Sequence, residues 1–290
     1  MTNALPTCLL DGCLMPITSA RISPLDRGFL FGDGVYEVVP VYRGTPFRLQ
    51  PHLDRLQAGL EALAIHNPYP RARWAQLIRA LVAANLNGDQ GVFLEITRGT
   101  EQGRDFLPAP GGSPTVFGFC WRLAPVRLEQ LQRGIAAVTL QDIRWQRCDI
   151  KSIALVAPVM LRMEAKRRDA DEAILLREDR LAEGSSSAVF VVKDGRIATP
   201  PASHERLPSI TRLVVGEVLV ALGLRLAVRE IHRDELHAAD EIWTASATRE
   251  VMPVTRLDGR AVGAGTAGPI WRRVFDEYQA LKEREAECDT

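Results

Sequence analysis

The chain has 290 residues, of which 46% are apolar and 25% charged, a composition typical of a globular protein with a large core and two domains. Thirty-six basic residues balance thirty-six acidic ones, so no global field favours nucleic acid or an anionic membrane as a partner. The five cysteines form no CxxC pair, which argues against a disulfide framework and a zinc site. The sequence has no apolar run of about eighteen residues and no signal-peptide pattern, so we expect a cytoplasmic protein.

The chain opens with a pattern of short strands. Two strands flank a tight Asp11-Gly12 turn, and a longer strand at 35–42 follows a segment in which Gly32 and Gly34 bracket Asp33. Glycine adopts backbone conformations that other residues avoid, so the bracketed segment predicts a sharp reversal just before the longer strand.

Alternation divides the side chains of the strand at 35–42 between two faces. Tyr36 lies on one face, and Glu37 lies on the other together with Val35 and Val39. An aromatic side chain in a strand can simply pack with its hydroxyl group bonded to the backbone, so spacing alone leaves the role of Tyr36 open.

A helix that begins at Pro51 carries an apolar stripe from Leu53 to Leu63. Arg55 falls on the flank of that stripe, where it is either a surface arginine with a buried stem or a clamp for an anion. A second amphipathic helix at 74–85 and a strand at 91–97 follow.

Residues 98–112 combine many glycines and prolines with two arginines, Arg98 and Arg104, and this composition predicts a long functional loop. A further strand follows at 116–121. The predicted organisation is therefore an N-terminal α+β domain, a linker and a C-terminal domain, at residues 1–121, 122–126 and 127–290.

Lys151 lies at the junction between a predicted strand at 135–140 and a predicted helix at 154–168. A fixed junction can aim a side chain into a cleft, and a partly desolvated lysine becomes an amine nucleophile that can attack a carbonyl group. A lysine near the start of a helix is more commonly a solvated surface charge, so the pattern needs further support. The apolar periodicity of the predicted helix runs through Leu155, Val159, Met160 and Met163.

Three later segments are rich in small or hydroxyl-bearing residues. Glu183 precedes Gly184 and three serines, which would let a ligand approach the backbone closely, although such an acid is often a plain loop residue. Residues 209–211 open an apolar helix, and its free N–H groups and hydroxyl groups could bind phosphate or simply cap the helix. A second such turn follows a strand at 241–244, and the chain closes with an amphipathic helix at 268–285.

Five motifs, taken in order, resemble those of the class IV (fold type IV) pyridoxal phosphate-dependent aminotransferases, and most closely those of the D-amino acid aminotransferases. They cover nearly the whole chain and are found at Phe31–Glu37, Pro51–Leu56, Arg144–Ser152, Glu183–Ser187 and Ile210–Arg212. The resemblance implies an α+β (mixed α/β) fold of two domains that works as a homodimer. It also implies that pyridoxal 5′-phosphate is bound in the cleft between the domains, with the C-terminal domain as the cofactor-binding domain.

The resemblance implies a role for each site residue. Lys151 would hold pyridoxal phosphate covalently and shuttle a proton as general base and acid, while Glu183 would keep the pyridine nitrogen protonated. Arg144 would reach the phenolate oxygen of the ring, Leu207 would pack beneath the ring, and Tyr36 would face the substrate. The phosphate would be bound by Arg55 and by two backbone and hydroxyl segments, Ser209, Ile210 and Thr211 with Ser246, Ala247 and Thr248.

The chain departs from the D-amino acid enzymes in the loop at 98–112. Those enzymes resemble one another in carrying an Arg-x-His pair there, which would bind the substrate carboxylate. This chain has Gly103-Arg104-Asp105-Phe106 instead, with an arginine but no histidine. Arg104 is the expected substitute, and Arg98 is a second candidate for binding the carboxylate.

The resemblance implies transfer of an amino group between a D-amino acid, such as D-alanine or D-glutamate, and a 2-oxo acid. Other class IV activities remain open, because the loop is altered: branched-chain L-amino acid transaminase, (R)-amine transaminase and aminodeoxychorismate lyase. A non-catalytic protein that uses the same fold is a further alternative. The presence of both Lys151 and Glu183 argues against it, because a protein without catalysis needs no electron-withdrawing cofactor.

Overall fold

The computed structural model describes residues 3–85, 88–124 and 128–288. The strands, numbered in chain order, are β1 (Ala4–Leu10), β2 (Cys13–Pro16), β3 (Gly34–Tyr42), β4 (Thr45–Pro46), β5 (Gln90–Thr97), β6 (Thr115–Arg122), β7 (Ile135–Gln141), β8 (Glu172–Arg177), β9 (Arg180–Gly184), β10 (Ala188–Lys193), β11 (Arg196–Thr199), β12 (Leu226–Val228), β13 (Glu241–Ser246), β14 (Glu250–Leu257) and β15 (Arg260–Ala261). The helices are α1 (Arg27–Phe31), α2 (Leu49–Ala62), α3 (Arg71–Ala84), α4 (Leu128–Arg133), α5 (Val156–Arg167), α6 (Ile210–Ala221), α7 (Arg233–His237) and α8 (Pro269–Cys288).

The described residues form two compact units, and the mixed helix and sheet content agrees with the predicted fold class. The first unit contains residues 1–124, 150–155 and 285–290, and the second contains 125–149 and 156–284. The predicted domain boundaries stay a prediction. Two residues of the predicted linker, Pro125 and Val126, lie outside the described residues.

The first unit is built on a six-stranded antiparallel sheet with the order β2-β1-β6-β5-β3-β4. One face of this sheet packs against α2 and α3, because strand alternation turns Val39, Leu94 and Cys120 toward the leucine stripe of α2. The other face carries half-exposed side chains. Segment 150–155 belongs to this unit, and Ile150 is part of its core.

The second unit is built on a nine-stranded mixed sheet with the order β12-β11-β10-β13-β14-β7-β8-β9, with β15 paired to β14. Two apolar clusters cover its two faces. Along β8, Ile174 joins one cluster and Leu175 the other, so both faces of the central strands are buried. A strand that is buried on both faces is expected to have a continuous apolar sequence instead of alternating apolar and polar residues. The sequences of β8 and β10 agree with this expectation.

Most of the residues whose periodicity predicted α5 are exposed in the structure. The helix forms near its predicted bounds, but Val159, Met160 and Met163, which defined its periodicity, are more than half exposed, while Leu161 and Ala165 are buried. The exposed residues form an apolar stripe, spaced as one face of a helix, that contains Val156, Val159, Met160 and Met163. The predicted helix is confirmed, and the face that it buries is not the one that carries the periodicity.

The elements that were not predicted from the sequence include α1, α4 and β14. The short helix α1 is too brief to show periodicity and is stabilised instead by Asp26, whose side chain accepts a hydrogen bond from the Gly28 N–H. In β14 a central Pro253 obscured the strand pattern. Among the described residues, no helix is long and apolar enough to cross a membrane.

Candidate active site

Lys151 is fixed in the first unit by backbone pairing with β3. The Tyr36 N–H donates to the Lys151 carbonyl group at 3.0 Å, and the Ile153 N–H donates to the Gly34 carbonyl group at 3.1 Å. The Lys151 Nζ lies 4.1 Å from the centre of the Tyr36 ring, which is a cation–π distance. The structure therefore places two predicted site residues, Lys151 and Tyr36, in direct contact.

The two glycines around Asp33 make this pairing possible. A Cβ at Gly34 would lie 2.6 Å from the Ile96 carbonyl oxygen and 2.9 Å from the Ile153 side chain, so the strand could not approach segment 150–155. Gly32 ends α1 in the left-handed conformation at φ 67°, where a larger residue is strained. The predicted sharp reversal before the strand is confirmed.

Arg55 reaches from α2 to the buried face of β3, where it pairs with Glu37. Its Nε and Nη2 groups donate to the Glu37 carboxylate at 2.7 and 2.8 Å, and the His52 Nδ1 lies 2.8 Å from the same carboxylate. Burial raises the pKa of Glu37, but Arg55 and His52 outweigh burial and hold that pKa well below its usual range. Burial lowers the pKa of His52, which is therefore neutral at pH 7.

Glu37 was missing from the predicted site, although the sequence carried a signal for it. Strand alternation already placed Glu37 on the face shared by Val35 and Val39, which the structure buries. An acid on a buried face needs a cationic partner, and Arg55 was the arginine nearest in sequence on the following helix. Pairing of these two residues could have been predicted on that ground.

Replacing Glu37 by Gln is expected to lower the free energy of unfolding at pH 7 by about 3 kcal/mol, because it leaves Arg55 without its buried counter-charge. The depressed folded-state pKa of Glu37 means that its stabilisation is present above the unfolded carboxyl pKa of about 4.3 and is lost as the pH falls further. The difference between wild type and E37Q should therefore shrink in acid. Urea unfolding at several pH values measures it.

The control for this experiment is Glu61→Gln, which removes a negative charge from an exposed position on α2, the helix that carries Arg55. We expect E61Q to change stability by less than about 0.5 kcal/mol. A stability loss in E37Q no larger than that of E61Q would contradict a stabilising role for the Glu37–Arg55 pair.

Asp33 joins two other arginines of the first unit. Its carboxylate accepts from Arg98 at 2.7 and 2.9 Å and from Arg27 at 2.9 Å. Arg98 also donates to the carbonyl groups of Leu63 and Ala64, so its guanidinium is engaged in holding backbone. Burial raises the pKa of Asp33, but the two arginines outweigh it and lower the pKa. These contacts give Arg98 a structural part in the fold.

The loop at 98–112 is held by the buried Arg27, which sequence reasoning missed. Its Nη groups donate to the Asp105 and Phe106 carbonyl groups at 2.7 and 3.0 Å, and to Glu101 at 3.1 Å. Arg104 is exposed, and its guanidinium carbon lies 5.1 Å from the Phe31 ring centre and 5.5 Å from that of Phe106. Arg104 therefore projects from an anchored loop on an aromatic support.

In the second unit, Glu183 and Arg144 are in contact. The Arg144 Nη1 donates to Glu183 at 2.5 Å, and the other edge of its guanidinium pairs with Asp142 at 2.8 and 2.9 Å. Burial lowers the pKa of Arg144, but the two carboxylates outweigh it and raise the pKa. Burial raises the pKa of Glu183, and this rise is opposed by Arg144 and by the Leu207 N–H.

Leu207 is held beside Glu183 by a second unpredicted arginine. Arg206 is buried and donates to the carbonyl groups of Leu181 and Ala182 at 3.1 and 2.9 Å, just before Glu183 in the same strand. It also bonds the Pro201 carbonyl group. Arg206 thus fixes the segment that brings the Leu207 N–H to the Glu183 carboxylate.

Two segments of the second unit have the chemistry of a phosphate site. Ser209 caps α6 and accepts from the Arg212 N–H at 3.2 Å, while the Ile210 and Thr211 N–H groups lie in the first turn, which has no intrahelical acceptors. α6 packs against β13, which ends at Ser246 and leads into the predicted turn with Ala247 and Thr248.

The buried polar atoms beside α6 test whether an anion fits there. Among the described side chains, the Arg212 Nε is buried and has no hydrogen-bond partner. Burial and the nearby Arg206 charge lower the pKa of Arg212, so an anion at this helix start would be stabilised by it. The donors of this unit fit a phosphate group, and the Glu183 carboxylate fits a protonated ring nitrogen.

Comparisons with known proteins identify the family of the chain. A family model described as amino-transferase class IV matches residues 34–257. The chain is 37% identical to the D-alanine aminotransferase of Bacillus licheniformis, over 93% of this chain and 95% of that protein.

Two solved structures share the fold. A branched-chain amino acid aminotransferase from Thermoproteus uzoniensis, solved with norvaline, has a TM-score of 0.85 at 26% identity, covering 96% of this chain and 94% of that one. A fold IV-transaminase from Curtobacterium pusillum has a TM-score of 0.82 at 26% identity, covering 96% and 99%. The fold is that of the fold type IV pyridoxal phosphate-dependent enzymes.

The chain belongs to the class IV aminotransferase family, since the family model spans more than half of its residues. It is therefore an aminotransferase-family enzyme, and the cofactor of the family is pyridoxal 5′-phosphate. The predicted family and fold class are confirmed, whereas the roles of the individual site residues stay predictions.

Proposed function

We propose that this enzyme transfers an amino group between a D-amino acid of the D-alanine or D-glutamate type and a 2-oxo acid. The observation that carries the proposal is the 37% identity to a D-alanine aminotransferase over 93% of this chain. The contacts around Lys151 in the first unit and around Glu183 in the second support it, because both groups have the surroundings that the chemistry requires.

Pyridoxal phosphate supplies a ring that withdraws electrons from the substrate carbon. Lys151 would hold the cofactor covalently and would move a proton to and from the substrate Cα. Glu183 holds a proton at the pyridine nitrogen, and its contact with Arg144 favours the charged carboxylate that this task needs. Tyr36 lies against the Lys151 amine and faces the substrate.

The phosphate group is bound by Arg55 and by the backbone and hydroxyl groups of two segments, Ser209, Ile210 and Thr211 with Ser246, Ala247 and Thr248. The rigid Arg55–Glu37 pair and the Ser209 cap support these assignments, because both fix donors before the anion arrives. Leu207 would contact the cofactor ring. Arg144 reaches the phenolate oxygen, a role that it would share with its contact to Glu183.

We assign the substrate carboxylate to Arg104 in preference to Arg98. The Arg98 guanidinium pairs with Asp33 and donates to two carbonyl groups, whereas Arg104 is exposed and makes only ring contacts among the described residues. An arginine supported by aromatic rings keeps its fork of donors available for a carboxylate.

The exposed apolar stripe of α5 supports the proposal of a homodimer. Val156, Val159, Met160 and Met163 are 53 to 75% exposed, and a contiguous apolar helix face of this kind is typical of a protein interface. The free thiols of Cys8, Cys13, Cys120 and Cys148 agree with the reducing cytoplasm proposed for this enzyme.

A second candidate is a branched-chain L-amino acid transaminase. Two observations favour it. The TM-score to the Thermoproteus uzoniensis enzyme is 0.85, and the loop of this chain lacks the Arg-x-His pair. The identity to that structure is 26%, below the 37% to the D-alanine enzyme. The loop difference alone does not specify the handedness of the substrate.

The experiment that separates the two candidates follows the colour of the cofactor-loaded enzyme. D-alanine or L-leucine is added alone, without a 2-oxo acid, and the loss of the yellow colour reports transfer of the amino group to the cofactor. We expect D-alanine to bleach the enzyme and L-leucine to leave it yellow. Bleaching by L-leucine alone would overturn the proposal in favour of the second candidate.

A further inference from the structure

One face of the first unit's sheet is left outside the core and begins at Tyr36. The neighbouring strands β3, β5 and β6 turn alternate side chains toward this face, and those near its centre are partly exposed, whereas the residues between them are buried. The side chains of this open face are Tyr36, Val38, Phe93, Glu95, Phe117 and Phe119.

Glu95 is the direct neighbour of Tyr36 on this face. In the antiparallel register Tyr36 lies opposite Glu95, and Glu95 lies opposite Phe117 on the next strand. Side chains paired in this way have Cβ atoms about 5 Å apart. Because the Lys151 amine lies on the Tyr36 ring, Glu95 is the first charged side chain beyond it along that row.

Glu95 differs from the other acids of the site in having no partner. Glu37, Asp33 and Glu183 each pair with an arginine, but the Glu95 carboxylate makes no hydrogen bond or ion pair with any other described residue. Burial and the nearby Asp26 charge raise its pKa. Partial burial of a carboxylate without a bonding partner destabilises the folded protein. A functional contact with a bound ligand would explain why such a residue is present.

We propose that Glu95 faces the side chain of the substrate amino acid and selects against a side-chain carboxylate. The inference rests on the proposed transaminase function, since it takes the amino group of the substrate to react at Lys151. The open face continues from Tyr36 to the rings of Phe93 and Phe117, which suit the methyl or methylene groups of a substrate.

The charge of Glu95 then discriminates between substrates by the group at the end of their side chain. D-alanine presents only a methyl group, whereas D-glutamate and 2-oxoglutarate present a second carboxylate to an acid in apolar surroundings, where like charges repel strongly. A cationic side chain such as that of D-ornithine would gain an ion pair. The enzyme should therefore prefer D-alanine and D-ornithine to D-glutamate.

The test compares kcat/KM for D-glutamate, D-alanine and D-ornithine in wild type and Glu95→Gln. In E95Q the ratio of D-glutamate to D-alanine should rise about tenfold or more, and the ratio of D-ornithine to D-alanine should fall. The matched control is Glu61→Gln, which removes an exposed charge from the same unit and should leave both ratios as they are.

An equilibrium measurement separates binding from turnover. Glutarate and butyrate have no amino group, so their dissociation constants from the cofactor-loaded enzyme report binding alone. Glutarate should bind E95Q about tenfold more tightly than wild type, relative to butyrate. Equal changes for both acids, or unchanged ratios among the three substrates, would overturn the role of Glu95.

The same experiment keeps the two proposals distinguishable. If wild type turns over D-amino acids but E95Q has unchanged ratios, the Glu95 inference fails and the transaminase function stands. If wild type accepts none of the D-amino acids, the proposed function fails, and the inference built on it is overturned with it.

Discussion

Replacing Lys151 by Ala is expected to abolish transamination, with a loss of at least about 10⁴-fold in kcat, because we assign both the cofactor bond and the transfer of the substrate proton to this amine. The variant should still fold, since alanine keeps the backbone carbonyl group that accepts from the Tyr36 N–H, and the lost amine lies over the Tyr36 ring. The measurement is single-turnover bleaching by D-alanine together with the covalent state of the cofactor. Borohydride treatment of wild type should add the cofactor mass to the peptide that contains Lys151.

The matched control is Lys166→Ala, which removes an exposed lysine at the end of α5. This variant should keep both its activity and the labelled peptide. Turnover by K151A at more than about one per cent of the wild-type rate, or a cofactor label on another lysine, would show that the covalent and proton-transfer roles belong to a different residue.

The sequence predicted the order of most strands and helices because periodicity is a local property. The strand at 35–42 and the leucine stripe of the following helix agree with β3 and α2 within a few residues. The glycines around Asp33 could also be interpreted from the local sequence, since few residues other than glycine fit a left-handed or tightly packed position. The same local pattern made Lys151 a candidate, but its assignment as the cofactor lysine depended on the resemblance of the five motifs to the class IV aminotransferases.

Partners far apart in the chain were not predictable in this way. Arg27 and Arg98 meet on Asp33, and Arg206 reaches back to Leu181, but no spacing rule connects such residues. Only Glu37 gave a warning, because alternation placed its charge on a buried face. The pairing of buried charges depends on tertiary packing, and sequence alone states only that a partner must exist.

The periodicity of α5 identified the helix but not which of its faces is buried. Helical periodicity identifies an apolar face, and such a face is usually assumed to be buried within the same fold. Here Met160 and Met163 are exposed, while the face that packs on the sheet uses the smaller Ala165 beside Leu161. Periodicity cannot distinguish a face that packs inside the fold from one that is available to a second chain.

Replacing Glu183 by Gln tests the other half of the chemistry and is expected to lower kcat by about 10²- to 10³-fold, the range typical of losing one preorganised electrostatic group. Gln keeps the size of the side chain and can still accept from Arg144 and from the Leu207 N–H, so the fold and the cofactor affinity should change little. What Gln cannot do is hold a proton at the pyridine nitrogen by opposite charge.

The Glu183→Gln variant removes the charge of the side chain and keeps its size, so it tests whether the charge is needed for turnover. Burial disfavours the charged form of Glu183, yet the structure places Arg144 against it, and Asp142 holds Arg144 from its other side. Such an arrangement is useful if the negative charge itself is needed. A loss in kcat with unchanged cofactor binding, measured by bleaching kinetics and by cofactor titration, would support that reading. If E183Q loses the cofactor but turns over normally once saturated with it, Glu183 serves in binding and its charge is not required for the proton transfer at Lys151.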